Sequence, residues 1–416
     1  MNVARNFSRL GNVKPVILGG DVGAYALGLQ FYEAFNVRSI CVANSPVDMI
    51  TLSKLYDVVN IARGVEDEEL LATLEQIAAD NEGSDLVLMT NDDGRIAFMA
   101  RHAERLGRHY KMPIPTTASI DLLCKKESFA ELCKEHAVPT PATVAVNFQN
   151  ADQPDWVAPA IEFQFPVIAK ASSGEAYGKV SFPGKKKIWF IDTPEELETL
   201  WGSLKDAGFK DTFLVQELIP GDDTCVRSLT FYVDSNGHVT LRAAAQVLLQ
   251  DPAPTMIGNP IAMITQELPE LWALAERLLE AGDYRGFANF DIKIDPRDGT
   301  PYFFEVNPRI GRNSYYVSAA GENPMVPMAR DLVLGEDVVP AVAARRALYT
   351  LVPMSLIKRY VTENDLRREA VGLAKAGRMV NPLAADVETD RKRKMVALLQ
   401  RYNYFRKFKQ HYRLDQ

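Results

Sequence analysis

The 416-residue chain has few of the residues that build disulfide scaffolds and transition-metal sites. It contains four cysteines and five histidines, without a CxxC pair and without ligand-like spacing among the histidines. A disulfide framework and a histidine-based metal site are therefore not indicated. The scattered cysteines are Cys41, Cys124, Cys133 and Cys225, and we expect reduced thiols in a cytoplasmic protein.

Long hydrophobic runs are also missing. No apolar run approaches the roughly 18 residues of a transmembrane helix. The VIL run that follows Arg5 and Arg9 is far too short for a signal peptide. Hydrophobic content of 47% and charged content of 24% are ordinary for a globular protein, and the length leaves room for two to four domains.

Residues 14–115 alternate strand-like and helix-like segments. Strands are predicted at KPVILGG, VRSICVAN and DLVLMT, and helices at AYALGLQFYEAF, 67–80 and 95–106. This βαβ order predicts a small parallel sheet of Rossmann-like type. Its glycine turn does not fit a dinucleotide site, because Leu18 fills the first GxGxxG position and the second strand ends VANSP without an acidic residue.

A hairpin near residue 300 places hard metal ligands together. Asp291 lies in the strand FANFDIKI, PRDG makes a turn, and PYFFEVN carries Glu305 and Asn307 two residues apart on one face. Two carboxylates and an amide oxygen suit one or two Mg²⁺ ions that hold a polyphosphate. Arg309 and Arg312 follow as donors for phosphate or carboxylate oxygens.

This ligand set resembles the catalytic hairpin of the ATP-grasp superfamily, in which an Asp is followed after about a dozen residues by Glu-x-Asn-x-Arg. The resemblance implies an enzyme that uses ATP to activate a carboxylate as an acyl phosphate and passes the acyl group to an amine. It also implies ATP and Mg²⁺ as cofactors, with two ions and with Mn²⁺ as an alternative metal.

Further motifs of that superfamily occur upstream in the expected order. Lys126 lies three residues before Phe129, and Lys170 ends an apolar strand before a flexible Gly/Ser loop with Gly174 and Gly178. The resemblance assigns both lysines to the nucleotide phosphates. The superfamily usually has a loop richer in glycine.

The strand FLVQELI breaks at Pro220-Gly221, where the superfamily has a hinge. By position, Ile219 would offer its N–H to adenine, Gln216 or Glu217 would meet the exocyclic amine, and Asp223 would take the ribose hydroxyls. An ordinary strand–turn–strand is the alternative.

The implied mechanism needs no covalent protein nucleophile. Arg309 is assigned to the transferring phosphoryl group and then to the tetrahedral oxyanion. Arg312, Lys293 and Arg227 are further cations for a second carboxylate of an amino-acid substrate. In such enzymes the N-terminal domain commonly helps to bind the acceptor, so Gly20, Asp21 and Asp92 are candidate substrate residues, although Asp92 and Asp93 could instead cap a helix.

The stretch DIKIDPRDG…FFEVNPRIGRNSYYVSAAGENP, with the closing YNYFRKFK, is similar to the D-aspartate ligase type of carboxylate–amine ligase. That type joins the side-chain carboxylate of D-aspartate to a lysine amine of a UDP-linked peptidoglycan precursor. Alternatives are another amino-acid or dipeptide ligase of this fold, an inactive nucleotide-binding regulator, and a dehydrogenase on the N-terminal sheet.

The C-terminal segment is strongly basic. From Pro340 onward there are 17 basic and 7 acidic residues, which gives this segment a net charge of +10. Because the whole chain has a net charge of −7, the residues before Pro340 have a net charge of −17. Nucleic acid or an anionic membrane at the inner face of the cell could bind such a tail. We expect instead a helix that packs Tyr402, Phe405 and Phe408 on the body while its cations face water.

The sequence thus predicts three domains. They are an N-terminal α/β domain (1–115), a two-lobed ATP-grasp domain (116–340, with lobes at about 116–215 and 216–340) and a basic helical extension (341–416).

Overall fold

The computed structural model describes residues 10–172 and 174–412. The N-terminal segment with Arg5 and Arg9, for which no signal peptide is predicted, lies outside the described residues. Arg413 of the basic tail lies outside them as well. The described part forms two compact units. The first comprises residues 10–124, 222–292 and 305–412, and the second comprises residues 125–221 (without 173) and 293–304.

The first unit begins with a parallel four-stranded sheet in the order β3-β2-β1-β4. Its elements are β1 (Val13–Leu18), α1 (Val22–Phe35), β2 (Ser39–Ala43), α2 (Asp48–Thr51), β3 (Tyr56–Asn60), α3 (Asp67–Asp80), β4 (Asp85–Thr90), α4 (Asp93–Arg101) and α5 (Ala103–Leu106). Alternate residues of β1 face opposite cores: Ile17 packs with α1, and Val16 packs with α3. The period of two along the strand therefore buries both faces of the sheet.

The small parallel sheet is confirmed, but the sequence missed one of its strands and one expected helix is wrong. The structure has a fourth strand, β3, which pairs in parallel with β2; as an edge strand with only Tyr56 buried, it lacks the apolar run that marks the other three. The single helix expected over 95–106 is two helices, broken at His102, whose φ of −107° and ψ of 20° leave the helical region. The helix over 67–80 is confirmed.

A mixed sheet forms the centre of the first unit. Its strand order is β13-β12-β9-β10-β11-β15-β16, and β14 pairs with β10. The strands are β9 (Val226–Val233), β10 (Val239–Gln250), β11 (Pro260–Thr265), β12 (Gly286–Ile294), β13 (Pro301–Asn307), β14 (Ala341–Ala343), β15 (Leu348–Thr350) and β16 (Met379–Val380). The expected hairpin is therefore confirmed as β12 and β13, and its tip, residues 293–304, groups with the second unit.

Helices complete the first unit. They are α6 (Thr117–Leu123), α10 (Pro269–Ala281), α11 (Tyr315–Ala319), α12 (Met325–Leu332), α13 (Met354–Tyr360), α14 (Asn364–Lys375) and α15 (Arg391–His411), with 3-10 turns at Asp223–Cys225 and Pro382–Ala384. Residues 341–412 thus contribute strands as well as helices. Among the described helices, none combines the length and the apolar character needed to cross a bilayer.

The packing expected for α15 is partly wrong. Phe408 is buried, with its ring 4.8 Å from the ring of Tyr360. Tyr402 and Phe405 are exposed instead. Tyr402 lies on the opposite side of the helix from the buried Arg393, Ala397 and Phe408, and Phe405 lies on the flank between the two sides.

The second unit is built on an antiparallel sheet in the order β5-β8-β6-β7. Its elements are α7 (Lys126–Glu135), β5 (Thr143–Asn147), β6 (Val167–Ala171), α8 (Gly174–Gly178), β7 (Trp189–Ile191), α9 (Pro194–Asp206) and β8 (Thr212–Glu217). Thr193 caps α9 by accepting from the N–H of Glu196 at 3.3 Å. The flexible loop expected after Lys170 is wrong over 174–178, which form a short helix. The domain limits at 115 and 340 stay predictions.

Candidate active site

The hairpin brings the three predicted metal ligands together within the first unit. Asn307 Nδ2 lies 3.2 Å from Asp291 Oδ2 and 3.4 Å from the carbonyl oxygen of Asn289. Glu305 lies on the same strand as Asn307, and its charge acts on Asp291. The strand–turn–strand sequence therefore assembles the acidic pair Asp291 and Glu305 and the neighbouring amide by local pairing alone.

The acidic pair is electrostatically strained. Burial and, next, the nearby charge of Glu305 raise the pKa of Asp291 to about 7, although Arg309 and Asn307 act in the opposite direction. Two carboxylates that repel each other in a half-buried place favour a cation between them.

Mg²⁺ fits these donors, since it prefers oxygen ligands and is commonly held by one or two carboxylates and phosphate oxygens. Within residues 10–172 and 174–412, no group of three or more His, Cys, Asp or Glu side chains could hold a metal by itself. A cation here would depend on the acidic pair, the amide oxygen of Asn307 and oxygens supplied by a substrate.

Sequence reasoning missed Asn289, which orients Asp291. Its Nδ2 lies 3.5 Å from Asp291 Oδ1, while its Oδ1 accepts from the hydroxyl of Thr230 at 3.2 Å. A side chain at Gly311 would place its Cβ only 2.6 Å from Asn289 Oδ1, so this position requires glycine. The sequence pattern could have indicated Asn289, because residues 289 and 291 lie two apart in β12 and therefore share one face of the strand.

Each of the two predicted arginines pairs with an acid of the N-terminal sheet. Arg309 Nε lies 3.1 Å from Asp93 Oδ1, and Arg312 Nε donates to Asp21 Oδ2 at 2.6 Å. Asp21 also accepts from the N–H of Ala24 at 2.9 Å and so caps α1. The structure thus brings Arg309, Arg312 and Asp21 to the side of the parallel sheet where its strands end.

The other candidate substrate residues have structural roles. Asp92 accepts from the N–H of Arg95 at 2.9 Å and caps α4, which was the alternative role considered for it. Gly20 packs so closely that a Cβ would lie 2.6 Å from Pro46 Cα. Arg227 donates to the carbonyl oxygens of Thr224 and Val226, and burial lowers its pKa to about 10.

A cysteine thiol lies in the same electrostatic environment. Burial raises the pKa of Cys124 to about 12, and the charges of Asp93 and Glu305 contribute in the same direction. At neutral pH this residue stays a thiol, and the thiolate is the nucleophilic form. The site therefore offers positive charge and oxygen ligands, without an activated cysteine.

The residues assigned to the nucleotide lie in both units. In the second unit, Lys170 donates to Gln216 Oε1 at 3.2 Å, and Gln216 donates to the hydroxyl of Thr143 at 3.0 Å. Glu217 pairs with Ala142 through its backbone N–H, and Ile219 is buried just after β8. Lys126 begins α7.

Two residues differ from the simple assignment. Asp223 belongs to the first unit, where its Oδ2 accepts from the N–H of Gln250 at 2.9 Å, so one of its oxygens is already engaged. Lys293 lies in the hairpin tip of the second unit. There the hydrogen bonds of Arg297 lower the pKa of Asp295, with a smaller contribution from the charge of Lys293.

Comparison with known proteins extends these observations to the whole chain. No protein-family model matches it. It is 28% identical over 410 residues to the D-aspartate ligase of Enterococcus faecium (strain Aus0004), and the alignment covers 97% of each protein.

Solved structures show the same fold at lower identity. The L-amino acid ligase from Bacillus licheniformis matches with a TM-score of 0.54 and 17% identity, over 77% of this chain and 74% of that one. The biotin carboxylase domain of the Hydrogenobacter thermophilus 2-oxoglutarate carboxylase, crystallised with ADP, magnesium ADP and bicarbonate, matches with a TM-score of 0.56 and 18% identity, over 80% and 72%. The chain thus has the ATP-grasp fold of these solved structures and is similar over its full length to a D-aspartate ligase.

Proposed function

We propose that the protein uses ATP to activate the side-chain carboxylate of an amino acid, D-aspartate, as an acyl phosphate and joins it to an amine. The observation that carries this proposal is the convergence of Asp291, Glu305 and Asn307 on the hairpin, followed by Arg309 and Arg312, each paired with an acid. Such a set provides a place for a cation and separate donors for oxyanions.

Asp291, Glu305 and the amide oxygen of Asn307 would hold Mg²⁺, most simply two ions. When bound, the metal neutralises charge on the β- and γ-phosphates. Lys126 and Lys170 are the cations that we assign to the remaining phosphate oxygens. Gln216, Glu217, Ile219 and Asp223 are assigned to the adenine and ribose by the resemblance.

The reaction then needs positioning and charge stabilisation from the chain's own residues. The substrate carboxylate attacks the γ-phosphorus in line, ADP leaves, and the acyl phosphate forms. Arg309 faces the transferred phosphoryl oxygens, and later the oxyanion that forms when the amine attacks the acyl carbon. Collapse of that adduct expels phosphate, and the amine proton passes to solvent or to the departing phosphate.

D-Aspartate is supported by the full-length similarity to a protein named D-aspartate ligase. Arg312, Lys293 and Arg227 are the cations that we assign to its α-carboxylate. A peptide amine of a UDP-linked peptidoglycan precursor is the acceptor that this likeness favours.

A substrate screen tests the proposal. ADP release would be measured with ATP and Mg²⁺ in the presence of D-aspartate, L-aspartate, D-glutamate or D-alanine, each with and without a UDP-linked pentapeptide. We expect release with D-aspartate that increases when the peptide is added, together with a product heavier by one aspartyl residue. If only another amino acid stimulated ADP release, the protein would still be a ligase, but D-aspartate would be wrong as its substrate.

The control for this screen is Glu305→Gln in the same preparation, because it removes one metal ligand and leaves the shape of the side chain. ADP release that persists in this variant without any dependence on the added amino acid would come from a contaminating ATPase. If no amino acid stimulates release by the wild-type protein, although it binds ATP, the proposed function is wrong.

A further inference from the structure

The outward face of α15 carries an apolar stripe that the described part of the chain leaves exposed. Met395, Leu398, Leu399, Tyr402 and Phe405 are between 39% and 64% exposed. They make up five of the twelve exposed large hydrophobic side chains in the described part of the chain. Their spacing of three or four residues places them along one side of the helix, and we call this set the outer stripe.

The opposite side of α15 is firmly attached to the first unit. Arg393 and Glu388, each 1% exposed, form an ion pair at 3.3 Å. Phe408 is buried against Tyr360, and Lys407 Nζ lies 2.7 Å from Asp251 Oδ2. The helix therefore presents the outer stripe in its folded position, and nothing has to unfold to make it accessible.

Positive charge surrounds the outer stripe. Residues 391–411 contain eight Lys and Arg and no Asp or Glu. By helical geometry, Arg391 and Lys392 lie beside the stripe at its start, and Arg406 and Lys409 lie beside it at its end. All four are exposed.

We propose that this face of α15 lies on an anionic bilayer surface, with the outer stripe in the headgroup region and the four cations at lipid phosphates. A basic helix with an apolar face binds membranes in this orientation, because apolar burial and attraction to anionic lipids add. The bilayer accommodates both features of the face at once.

The composition of this face disfavours a second copy of the chain and nucleic acid as binding partners. A second copy packed stripe to stripe would bring cations near cations, and α15 has no acid to offset them. Nucleic acid would pair with the cations but would leave Met395, Leu398 and Leu399 without a suitable partner, since bases stack on aromatic rings.

Vesicle sedimentation tests the proposal. The full-length protein would be mixed with vesicles of phosphatidylcholine alone, or of equal parts phosphatidylcholine and phosphatidylglycerol, without ATP. We expect sedimentation with the mixed vesicles only, and weaker binding at high salt because exposed charges are screened. Failure to bind the mixed vesicles at low salt would overturn the proposal.

Two variants separate the two contributions. Leu398→Gln, Leu399→Gln and Tyr402→Gln together should weaken binding at least about tenfold through lost apolar burial. Arg391→Gln, Lys392→Gln, Arg406→Gln and Lys409→Gln together should weaken it about 100-fold. Because all seven residues are exposed, both variants should keep the wild-type melting temperature.

Matched controls change the same residue types elsewhere. Val157→Gln with Val339→Gln removes two exposed apolar side chains, and a second control replaces four exposed cations by glutamine at Lys54, Arg63, Lys134 and Lys375. Both controls should bind as wild type does, and an equal loss in the controls would contradict a role for α15.

Light scattering gives a second decisive result. A wild-type dimer that becomes a monomer in the Leu398, Leu399 and Tyr402 variant would show that a second copy covers the stripe, which overturns the proposal. Membrane binding by α15 does not depend on the proposed ligase function, because vesicle binding is measured without nucleotide. The same variant should release ADP as wild type does in vesicle-free solution.

Discussion

Arg309, just after the β12–β13 hairpin, pairs with Asp93 of the N-terminal α/β region. The Nε atom of Arg309 lies 3.1 Å from Asp93 Oδ1, and the arginine side chain is 15% exposed. Partial desolvation raises the pKa of Asp93, although 58% of its side chain is exposed, while the charge of Arg309 lowers the pKa and that of Glu305 raises it. The charge of Arg309 therefore favours the ionised form of Asp93, and the acid in return lies where it can orient the guanidinium.

Asp93→Asn should lower kcat about tenfold and leave KM for ATP nearly unchanged. The substitution keeps the size of the side chain but removes the negative charge of the ion pair with Arg309, and a tenfold loss of rate corresponds to about 1.4 kcal/mol. We expect part of this loss to appear as a less well oriented Arg309. Steady-state kinetics of ADP release with varied ATP would measure both constants.

Asp92→Asn is the matched control, because Asp92 is the neighbouring residue and caps α4 without contacting Arg309. Asparagine is an equally good cap, so kinetics and melting temperature should both stay at wild-type values. If both variants lost kcat equally, the start of α4 would affect turnover as a unit, and a specific role for Asp93 in positioning Arg309 would be wrong.

Glu305→Gln should reduce phosphate release at least about 100-fold, since the variant loses a negatively charged oxygen ligand for the Mg²⁺ that would hold the phosphates. The melting temperature should stay the same or rise, because a negative charge that repels Asp291 is removed. Calorimetric titration with Mg²⁺ and ADP would show weakened metal-dependent nucleotide binding.

Asp298→Asn serves as the control on the same hairpin. Asp298 is an exposed acid of the turn and accepts from the N–H of Thr300 at 2.8 Å. The asparagine variant should retain full turnover. Glu305 would be excluded as a metal ligand if its glutamine variant turned over at the wild-type rate.

The sequence predicts the hairpin well because the information is local. Strand period, the PRDG turn and the spacing of Glu305 and Asn307 lie within about twenty residues, and these features are sufficient to bring Asp291 beside Asn307. Asn289 could have been found by the same argument.

The acid partners of the arginines could not be predicted in this way. Asp93 and Arg309, like Asp21 and Arg312, are more than 200 residues apart in the chain, and only the packing of the mixed sheet against the parallel sheet makes them neighbours. The exposed side of α15 could not be predicted for a related reason. Apolar residues occur on both sides of this helix, so its periodicity alone does not indicate which side faces the body.

Lys170→Ala should weaken ATP binding by about tenfold or more, because a point charge for the phosphates is lost. Its Nζ donates to Gln216 Oε1 at 3.2 Å, so the variant also frees that amide. Lys187→Ala removes an exposed lysine of the same unit and should bind ATP as wild type does. Fluorescence titration with a labelled ATP analogue measures both, and unchanged affinity in Lys170→Ala would contradict its assignment.

Gly23→Ala should destabilise the first unit, because α1 approaches Arg312 so closely that a new Cβ has no room. That atom would lie 2.4 Å from Asn91 Nδ2, 2.8 Å from Arg312 Cγ and 3.0 Å from Arg312 Cα, and such overpacking costs about 1–3 kcal/mol. Gly372→Ala is the control: it lies in α14 with nothing within 4 Å of its Cβ position, and it should gain up to about 1 kcal/mol of helix propensity. Scanning calorimetry should therefore show opposite shifts in melting temperature. A stabilised Gly23→Ala protein would mean that Arg312 is free to move away, and its fixed pairing with Asp21 would then be wrong.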